Sequence, residues 1–112
     1  MPETRLKLLL ESGNERCGII LDDDEIVELP NISTTPDRAF EIDPAQMLVH
    51  LTSGRLTGTW HTHPDADPNL SEEDRVCFQN WPNLVHYIVG RRNKEPTVVK
   101  YVVEDGFLLQ CE

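Results

Sequence analysis

The chain contains 112 residues, of which 38% are hydrophobic and 27% charged, a balance typical of one folded domain. Ten Lys and Arg against twenty Asp and Glu give a net charge of −10, which disfavours nucleic acid and anionic membranes as partners. Apolar runs fall far short of the roughly 20 residues that a membrane span needs. We therefore expect residues 1–112 to form one domain that acts on a protein or peptide.

The N-terminus and the cysteines together predict a cytoplasmic location. The N-terminus shows no basic start followed by an apolar stretch, so no secretory signal is expected. The three cysteines, Cys17, Cys77 and Cys111, are an odd number without a close pair. Such usage fits a reducing compartment better than a disulfide framework. The sequence leaves the oligomeric state open.

Hydrophobic spacing in the first half of the chain predicts two helices and four strands. Leucines at helical spacing favour a helix over residues 3–12, and Pro44 suits the first turn of a helix that ends near residue 52. Acidic residues 22–25 are expected to form a solvated turn. The predicted strands cover residues 16–21, 26–29, 40–43 and 56–63.

The second half of the chain predicts one helix and three further strands. Ser71 followed by three acidic residues is typical of a helix start, and this helix would carry Phe78. The strands are expected over residues 84–89, 98–103 and 107–111. Because helices and strands interleave, the predicted fold class is α/β (α+β), with a mixed central sheet flanked by helices.

The stretch from His61 to Asp74 contains the residues most suited to metal binding and catalysis. His61 and His63 are two positions apart on a predicted strand, so both imidazoles should point to one face of the sheet. Pro64 ends this strand, and the following link is long enough for Asp74 to fold back towards the histidines. Two imidazoles and one carboxylate form a three-ligand zinc set, whose open fourth position can hold an acidified water.

Hydrolysis also requires a general base and a group that stabilises the oxyanion. Ser71 lies at the predicted helix start, three residues before Asp74, and suits the second role. The base should be a carboxylate from elsewhere in the chain, and Glu15, at the entry to the strand over 16–21, is the best candidate. Ser71 and Asp74 also match an ordinary helix-capping pair, which is compatible with a catalytic site.

The spacing between His61 and Asp74 follows the pattern His-x-His-Pro-x6-Ser-x2-Asp. This pattern resembles the signature of the JAMM/MPN metallopeptidases. Residues 14–18, Asn-Glu-Arg-Cys-Gly, are similar to the Glu-x-Cys-Gly segment that precedes the first core strand of that family. The resemblance covers residues 15–74 and implies a three-layer, cytidine-deaminase-like architecture.

The resemblance also implies a role for each motif residue. His61, His63 and Asp74 would bind one zinc ion per chain. Glu15 would take a proton from the water that zinc activates, and Ser71 would stabilise the tetrahedral oxyanion. The expected activity is that of a zinc-dependent peptidase or isopeptidase.

The family acts on ubiquitin, on ubiquitin-like tails and on related conjugates, which sets the expected substrate class. A chain of 112 residues leaves little room for the insertions that shape the substrate in larger members. We therefore expect an exposed, extended tail that fits along a sheet edge. The net charge of −10 favours a tail that carries Arg or Lys.

Two alternative interpretations stay open. Residues 31–33, Pro36 and residues 40–44 resemble the compact JAMM domains of phage and prophage tail-assembly proteins, and a metal site in such a binding module would be structural. Those domains are often fused to an NlpC-type cysteine peptidase, which this sequence lacks. RadC-like proteins share a His-x-His-Pro signature, but the acidic charge argues against DNA contact. The substitution Glu15→Gln separates the classes, since only a peptidase would lose turnover.

Several other conspicuous side chains are predicted to be structural. His50 and His86 lack metal-ligand spacing and are expected to be ordinary helix and strand residues. Cys17 and Cys77 have no paired base and are expected to be small buried hydrophobic residues. Trp60 lies on the other face of its strand from the histidines and should belong to the core.

Overall fold

The structure, a computed structural model, describes residues 2–111, which form three helices and six strands. These are α1 Pro2–Lys7, β1 Cys17–Leu21, β2 Ile26–Leu29, α2 Pro44–Thr52, β3 Leu56–Thr62, α3 Glu72–Gln79, β4 Val85–Arg92, β5 Glu95–Glu104 and β6 Phe107–Cys111. The strands form one sheet in the order β2-β1-β3-β4-β5-β6. Only β3 and β4 run parallel among the neighbouring strands described. The mixed sheet confirms the predicted α+β class.

Helices cover both faces of the sheet. One face packs against α1 through the buried cluster Leu6, Leu10, Ile20, Trp60, Tyr87 and Val89. The opposite face packs against α2 through Ile19, Leu21, Leu29, Met47 and Leu84, and against α3 through Phe78, Ile88, Val99 and Tyr101. Burying each large side chain contributes roughly 1.5–3 kcal/mol. Successive side chains of each strand point to opposite faces, so both faces of the sheet pack against helices and the domain has three layers. The same alternation places Trp60 in the core, as predicted.

Two tight turns make the C-terminal strands longer than expected. Asn93 and Lys94 connect β4 to β5 with φ values of 54° and 67°, and Asp105 and Gly106 connect β5 to β6 with φ values of 51° and 80°. Two consecutive positive φ angles characterise the type I′ turn, whose twist matches that of the paired strands. The first hairpin therefore stays paired up to its turn, and β4 and β5 extend three residues beyond the predicted inner ends.

The predicted strand over residues 40–43 is absent from the described fold. This segment lies as a loop over the core, joined to the chain after β2 by the bond from the Ile32 N–H to the Glu41 carbonyl at 2.9 Å. The alternation that suggested a strand reflects burial instead. Phe40 stacks on His61, and Ile42 packs against the cluster around Met47. The prediction was wrong because alternating burial can also arise in a loop that lies over a core.

The first helix is shorter than predicted. It ends at Lys7 because the following N–H groups of Leu8, Leu9 and Leu10 bond to carbonyls three residues earlier, which tightens the chain out of the α-helix. The second helix matches its predicted bounds, and α3 begins directly after Ser71. Within residues 2–111, no helix has the length and apolar character required to cross a membrane.

Candidate metal centre

His61 is held rigidly near the end of β3. Its strand lies between β1 and β4, and its ring is fully buried on the sheet face that carries α3. The Phe40 ring stacks on the imidazole with ring centroids 4.2 Å apart. The centroid of the Phe78 ring lies 5.9 Å from that of the imidazole, and the two ring planes are inclined by 58°. These aromatic contacts fix the ring plane and aim Nε2 at the side chains of His63 and Asp74.

His63 lies one residue beyond β3, and its ring faces the same side as that of His61, with the two Nε2 atoms 3.2 Å apart, as the spacing predicted. Its N–H donates to the Val89 carbonyl at 2.7 Å, and its Nδ1 lies 3.0 Å from the Asp67 carbonyl. A carbonyl only accepts, so Nδ1 carries the proton and Nε2 is left to face the centre. Burial lowers the pKa of His63, but the bonds to Asp74 and Asp67 outweigh it and raise the pKa above its ordinary value.

The loop that supplies the Asp67 carbonyl is packed tightly on β4. The Arg91 N–H donates to the Ala66 carbonyl at 2.7 Å, and the Arg92 guanidinium holds the Asp67 carboxylate at 2.9 and 3.0 Å. Gly90 permits this approach, since a Cβ there would lie 2.5 Å from the Ala66 oxygen. The orientation of His63 therefore depends on a glycine in the adjacent strand.

A capping box at the start of α3 turns Asp74 back towards the histidines. The Ser71 hydroxyl accepts from the Asp74 N–H at 3.1 Å, and the Asp74 carboxylate accepts from the Ser71 N–H at 3.2 Å. The two carboxylate oxygens lie 3.0 Å from His61 Nε2 and 3.2 Å from His63 Nε2. Burial raises the pKa of Asp74, but the interactions of its carboxylate with the His61 and His63 imidazoles outweigh burial and hold the pKa well below its usual range.

Glu15 approaches the same centre from the segment before β1. One carboxylate oxygen of Glu15 and one nitrogen each of His61 and His63 all lie within 4.8 Å of one another. The residue is only 7% exposed. Burial raises the pKa of Glu15 to about 7; His63 opposes this shift, whereas the nearby carboxylates of Asp74 and Glu73 add to it.

The donor set fits a zinc ion. His61 Nε2 and His63 Nε2 are 3.2 Å apart, and each lies 3.0–3.2 Å from an Asp74 oxygen. Tetrahedral zinc with bonds of about 2.0–2.1 Å needs ligand atoms roughly 3.3 Å apart, so little movement would be required. Burial lowers the pKa of His61, which favours the neutral imidazole that a metal requires. Among the described residues, buried His61 Nδ1 has no hydrogen-bond partner.

Comparison with known proteins decides the family. The family model Prok-JAB, prokaryotic homologues of the JAB domain, matches residues 3–103. The chain belongs to this family. Membership confirms the resemblance to JAMM/MPN proteins that the motif indicated.

Relatives of this Prok-JAB chain include a curated protein and solved structures. The desampylase of Haloferax volcanii is 27% identical over 85 residues, and the alignment covers 66% of this chain and 60% of the relative. A solution structure from Desulfitobacterium hafniense has a TM-score of 0.74 at 20% identity, covering 98% of this chain and 86% of that one. Another, from Salinibacter ruber, has a TM-score of 0.58 at 14% identity, with coverages of 97% and 84%. At these identities the structures show the fold alone.

In this Prok-JAB domain a cleft of about 340 Å³ leads to the centre. Glu15, His63 and Ser71 line it together. The structure thus brings all five motif side chains to one place, namely Glu15, His61, His63, Ser71 and Asp74. Sequence reasoning missed the supporting contacts of Phe40 and Gly90. The hydrophobic alternation around Phe40 signalled its burial, whereas nothing local marked Gly90.

Proposed function

We propose that this Prok-JAB domain is a zinc-dependent isopeptidase or peptidase. The observation that carries the proposal is the convergence of His61, His63 and Asp74 within 3.2 Å, with the buried Glu15 carboxylate beside them. His61, His63 and Asp74 would hold the ion. Zinc, when bound, supplies Lewis acidity that makes water a stronger nucleophile and polarises a carbonyl.

The side chains around the centre suit the proton transfers of amide hydrolysis. With a pKa raised to about 7 by burial, Glu15 can accept a proton from the attacking water and later give it to the leaving amine. The Ser71 hydroxyl accepts a bond from the Asp74 N–H, so its own proton is free to be donated to the substrate oxygen as charge develops there. Water adds its oxygen to the acyl group, and the amine leaves with the proton.

A ubiquitin-like tail is the proposed substrate. The relative from Haloferax volcanii is named desampylase, which points to a ubiquitin-like modifier as the substrate class. The cleft of about 340 Å³ that leads to the centre is where such a tail would lie. Three carboxylates, those of Glu15, Asp37 and Asp65, line this cleft against one guanidinium, that of Arg38. This balance favours tails with Lys or Arg near the scissile bond.

Turnover of a ubiquitin-like tail tests the proposal. The probe is a ubiquitin-like protein joined through its C-terminal carboxyl to a fluorescent amine, with zinc content measured by elemental analysis. We expect Glu15→Gln to keep its zinc but to lose turnover by about 10²- to 10⁴-fold, because the base is gone while the ligands remain. Glu72→Gln, at an exposed carboxylate in α3, is the matched control and should keep both.

Two results would contradict the proposal. A wild-type protein that binds no zinc after reconstitution would remove the metal from the mechanism. Equal turnover in Glu15→Gln and the wild type would remove the base, and the protein would then act by binding, as in the alternative of an assembly module.

A further inference from the structure

One partly buried amide, that of Asn31, joins three stretches of backbone beside the centre. Asn31 follows β2 closely. Its Nδ2 donates to the Glu15 carbonyl at 2.9 Å and to the Ala39 carbonyl at 3.0 Å. Its Oδ1 accepts from the Ser33 N–H at 3.1 Å and from the Glu41 N–H at 3.0 Å. Both donors and both acceptor positions of the side chain are therefore used.

The orientation of this amide is determined by its partners. Both partners of the nitrogen are carbonyls, which cannot donate, and both partners of the oxygen are N–H groups, which cannot accept. No other residue type supplies two donors and two acceptors at this length. Asp would present oxygen to two carbonyls, and Ala would leave all four backbone groups without this partner.

The amide matters for Glu15 because strand pairing does not hold that residue. Glu15 lies two residues before β1, outside the hydrogen-bonded register of the sheet. Its carbonyl accepts from Asn31, and its N–H donates to the Pro36 carbonyl at 2.7 Å. Both backbone groups of Glu15 thus bond to the segment of residues 31–36, which Asn31 also ties to residues 39–41.

The same amide fixes the position of Phe40. Its partners Ala39 and Glu41 flank Phe40, whose ring stacks on His61. A backbone bond from the Ile32 N–H to the Glu41 carbonyl at 2.9 Å strengthens the same connection. One side chain therefore anchors backbone on both the Glu15 side and the Phe40 side of the candidate centre.

We propose that Asn31 is the positioning residue that places the Glu15 carboxylate for proton transfer. The effect on hydrolysis rests on the proposed function, whereas the placement of Glu15 does not. Asn31 contacts none of His61, His63 and Asp74 in the bonds described above, and His61 is also held in β3 by pairing with both neighbouring strands. Removal of the Asn31 amide should therefore spare zinc binding. A shift of about 1 Å in a catalytic group can cost up to about 100-fold in rate.

Amide hydrogen exchange and kinetics of Asn31→Ala and Asn31→Asp test this role. We expect the Glu15 N–H to exchange about tenfold faster or more, while sheet amides such as Ile19 and Ile88 keep their protection. Zinc content should match the wild type. The kcat should fall between about 10- and 100-fold with KM within about twofold, because the proton donor and acceptor are misplaced rather than the binding cleft lost.

Ser33→Ala is the matched control for general loosening of the segment. Ser33 Oγ accepts from the Thr35 N–H at 3.0 Å, so the variant weakens the same loop without touching Glu15. It should keep the exchange rate at Glu15 and the kcat of the wild type. Asn31→Asp serves if Asn31→Ala fails to fold, since it keeps the shape and the two acceptor bonds.

The outcomes separate this inference from the proposed function. Unchanged protection of the Glu15 N–H in the Asn31 variants would overturn the positioning role. The role would also be overturned if Ser33→Ala lost as much protection at Glu15 and as much kcat as the Asn31 variants. If wild-type protein with bound zinc cleaves no ubiquitin-like tail, the proposed function fails. The exchange measurement still decides in that case whether Asn31 holds Glu15.

Discussion

His86 lies on the same sheet face as His61, yet its surroundings give it a structural role. Its Nε2 lies 3.1 Å from the Trp81 carbonyl, and its Nδ1 lies 2.7 Å from the Thr59 hydroxyl. Phe78 stacks on the ring with centroids 4.2 Å apart. The neutral tautomer satisfies both nitrogens, because Nε2 donates to the carbonyl and Nδ1 accepts from the hydroxyl. His61 differs, because its Nε2 faces the side chains of His63 and Asp74 and, among the described residues, no backbone carbonyl occupies that position.

The burial of His86 predicts a loss of stability in mild acid. Burial lowers the pKa of His86 to about 4 from 6.5, although the bond to Trp81 opposes the shift. Between pH 6.5 and about 4, His86 binds a proton in the unfolded chain but not in the folded chain, so the free energy of unfolding falls as pH falls. Its contribution is up to about 3 kcal/mol. Denaturant unfolding should be measured across this pH range. The free energy of unfolding should fall less steeply with falling pH in His86→Gln than in the wild type.

Leu48→Gln is the control for this measurement. Leu48 is an exposed residue of α2 without a titratable group, so this variant should reproduce the pH dependence of the wild type. Parallel stability curves for the wild type and His86→Gln would contradict the assignment of the acid loss to His86.

At the scale of the element, α3 begins at the point where the chemistry is needed. Its capping box satisfies N–H groups at the helix N-terminus and, with the same bonds, aims the Asp74 carboxylate at the histidines. Three acidic residues in the first turn also complement the helix dipole. Helix initiation and site construction therefore use one set of bonds, and Ser71 carries both tasks.

Two substitutions should separate the tasks of Ser71. A glycine cap costs only a few tenths of a kcal/mol, so Ser71→Gly should melt close to the wild type. Because this variant lacks the hydroxyl that would stabilise the oxyanion, its kcat should fall by about 100-fold or more. Ser71→Thr keeps a hydroxyl and a good cap, and it should keep both properties. Calorimetry and the fluorescent tail assay measure the two effects. Full activity in Ser71→Gly would leave Ser71 with the cap alone.

At the scale of the whole molecule, the centre is where separate parts of the fold meet. His61 comes from the sheet, Asp74 from a helix on one face, and Glu15 from the segment that enters β1. Three acceptor groups, the two imidazole Nε2 atoms and the Asp74 carboxylate, converge there. A cation that bridges them would stabilise the folded chain only, since the unfolded chain does not hold them together.

Zinc is therefore expected to raise the melting temperature of the chelator-treated protein. At a free zinc concentration 100 times the dissociation constant, the added stability is about 2.7 kcal/mol, which corresponds to a shift on the order of 10 °C. Magnesium should give no shift, because it prefers oxygen ligands. His63→Ala should lose the zinc response in differential scanning calorimetry. A zinc shift of equal size in His63→Ala would place the ion elsewhere.

Local pattern was sufficient for several elements and for the identity of the candidate site. The bounds of β2, α2 and β6, the cap at Ser71 and the burial of Trp60 follow from period, capping chemistry and proline placement, which act over a few neighbouring residues. The motif from His61 to Asp74 could be recognised for the same reason, because its members are close in the chain. Membership in the family confirms that recognition.

Contacts between residues far apart in the chain determined the features that local pattern did not predict. Phe40 was predicted in a strand, but it lies in a loop, where its ring stacks on His61. His63 takes its direction from the Asp67 carbonyl and from space left by Gly90, 27 residues further along. Sequence alone determined which residue types are present and which short elements form. Only the tertiary structure determined their distances and pKa values, because burial and approach depend on packing between segments far apart in the chain.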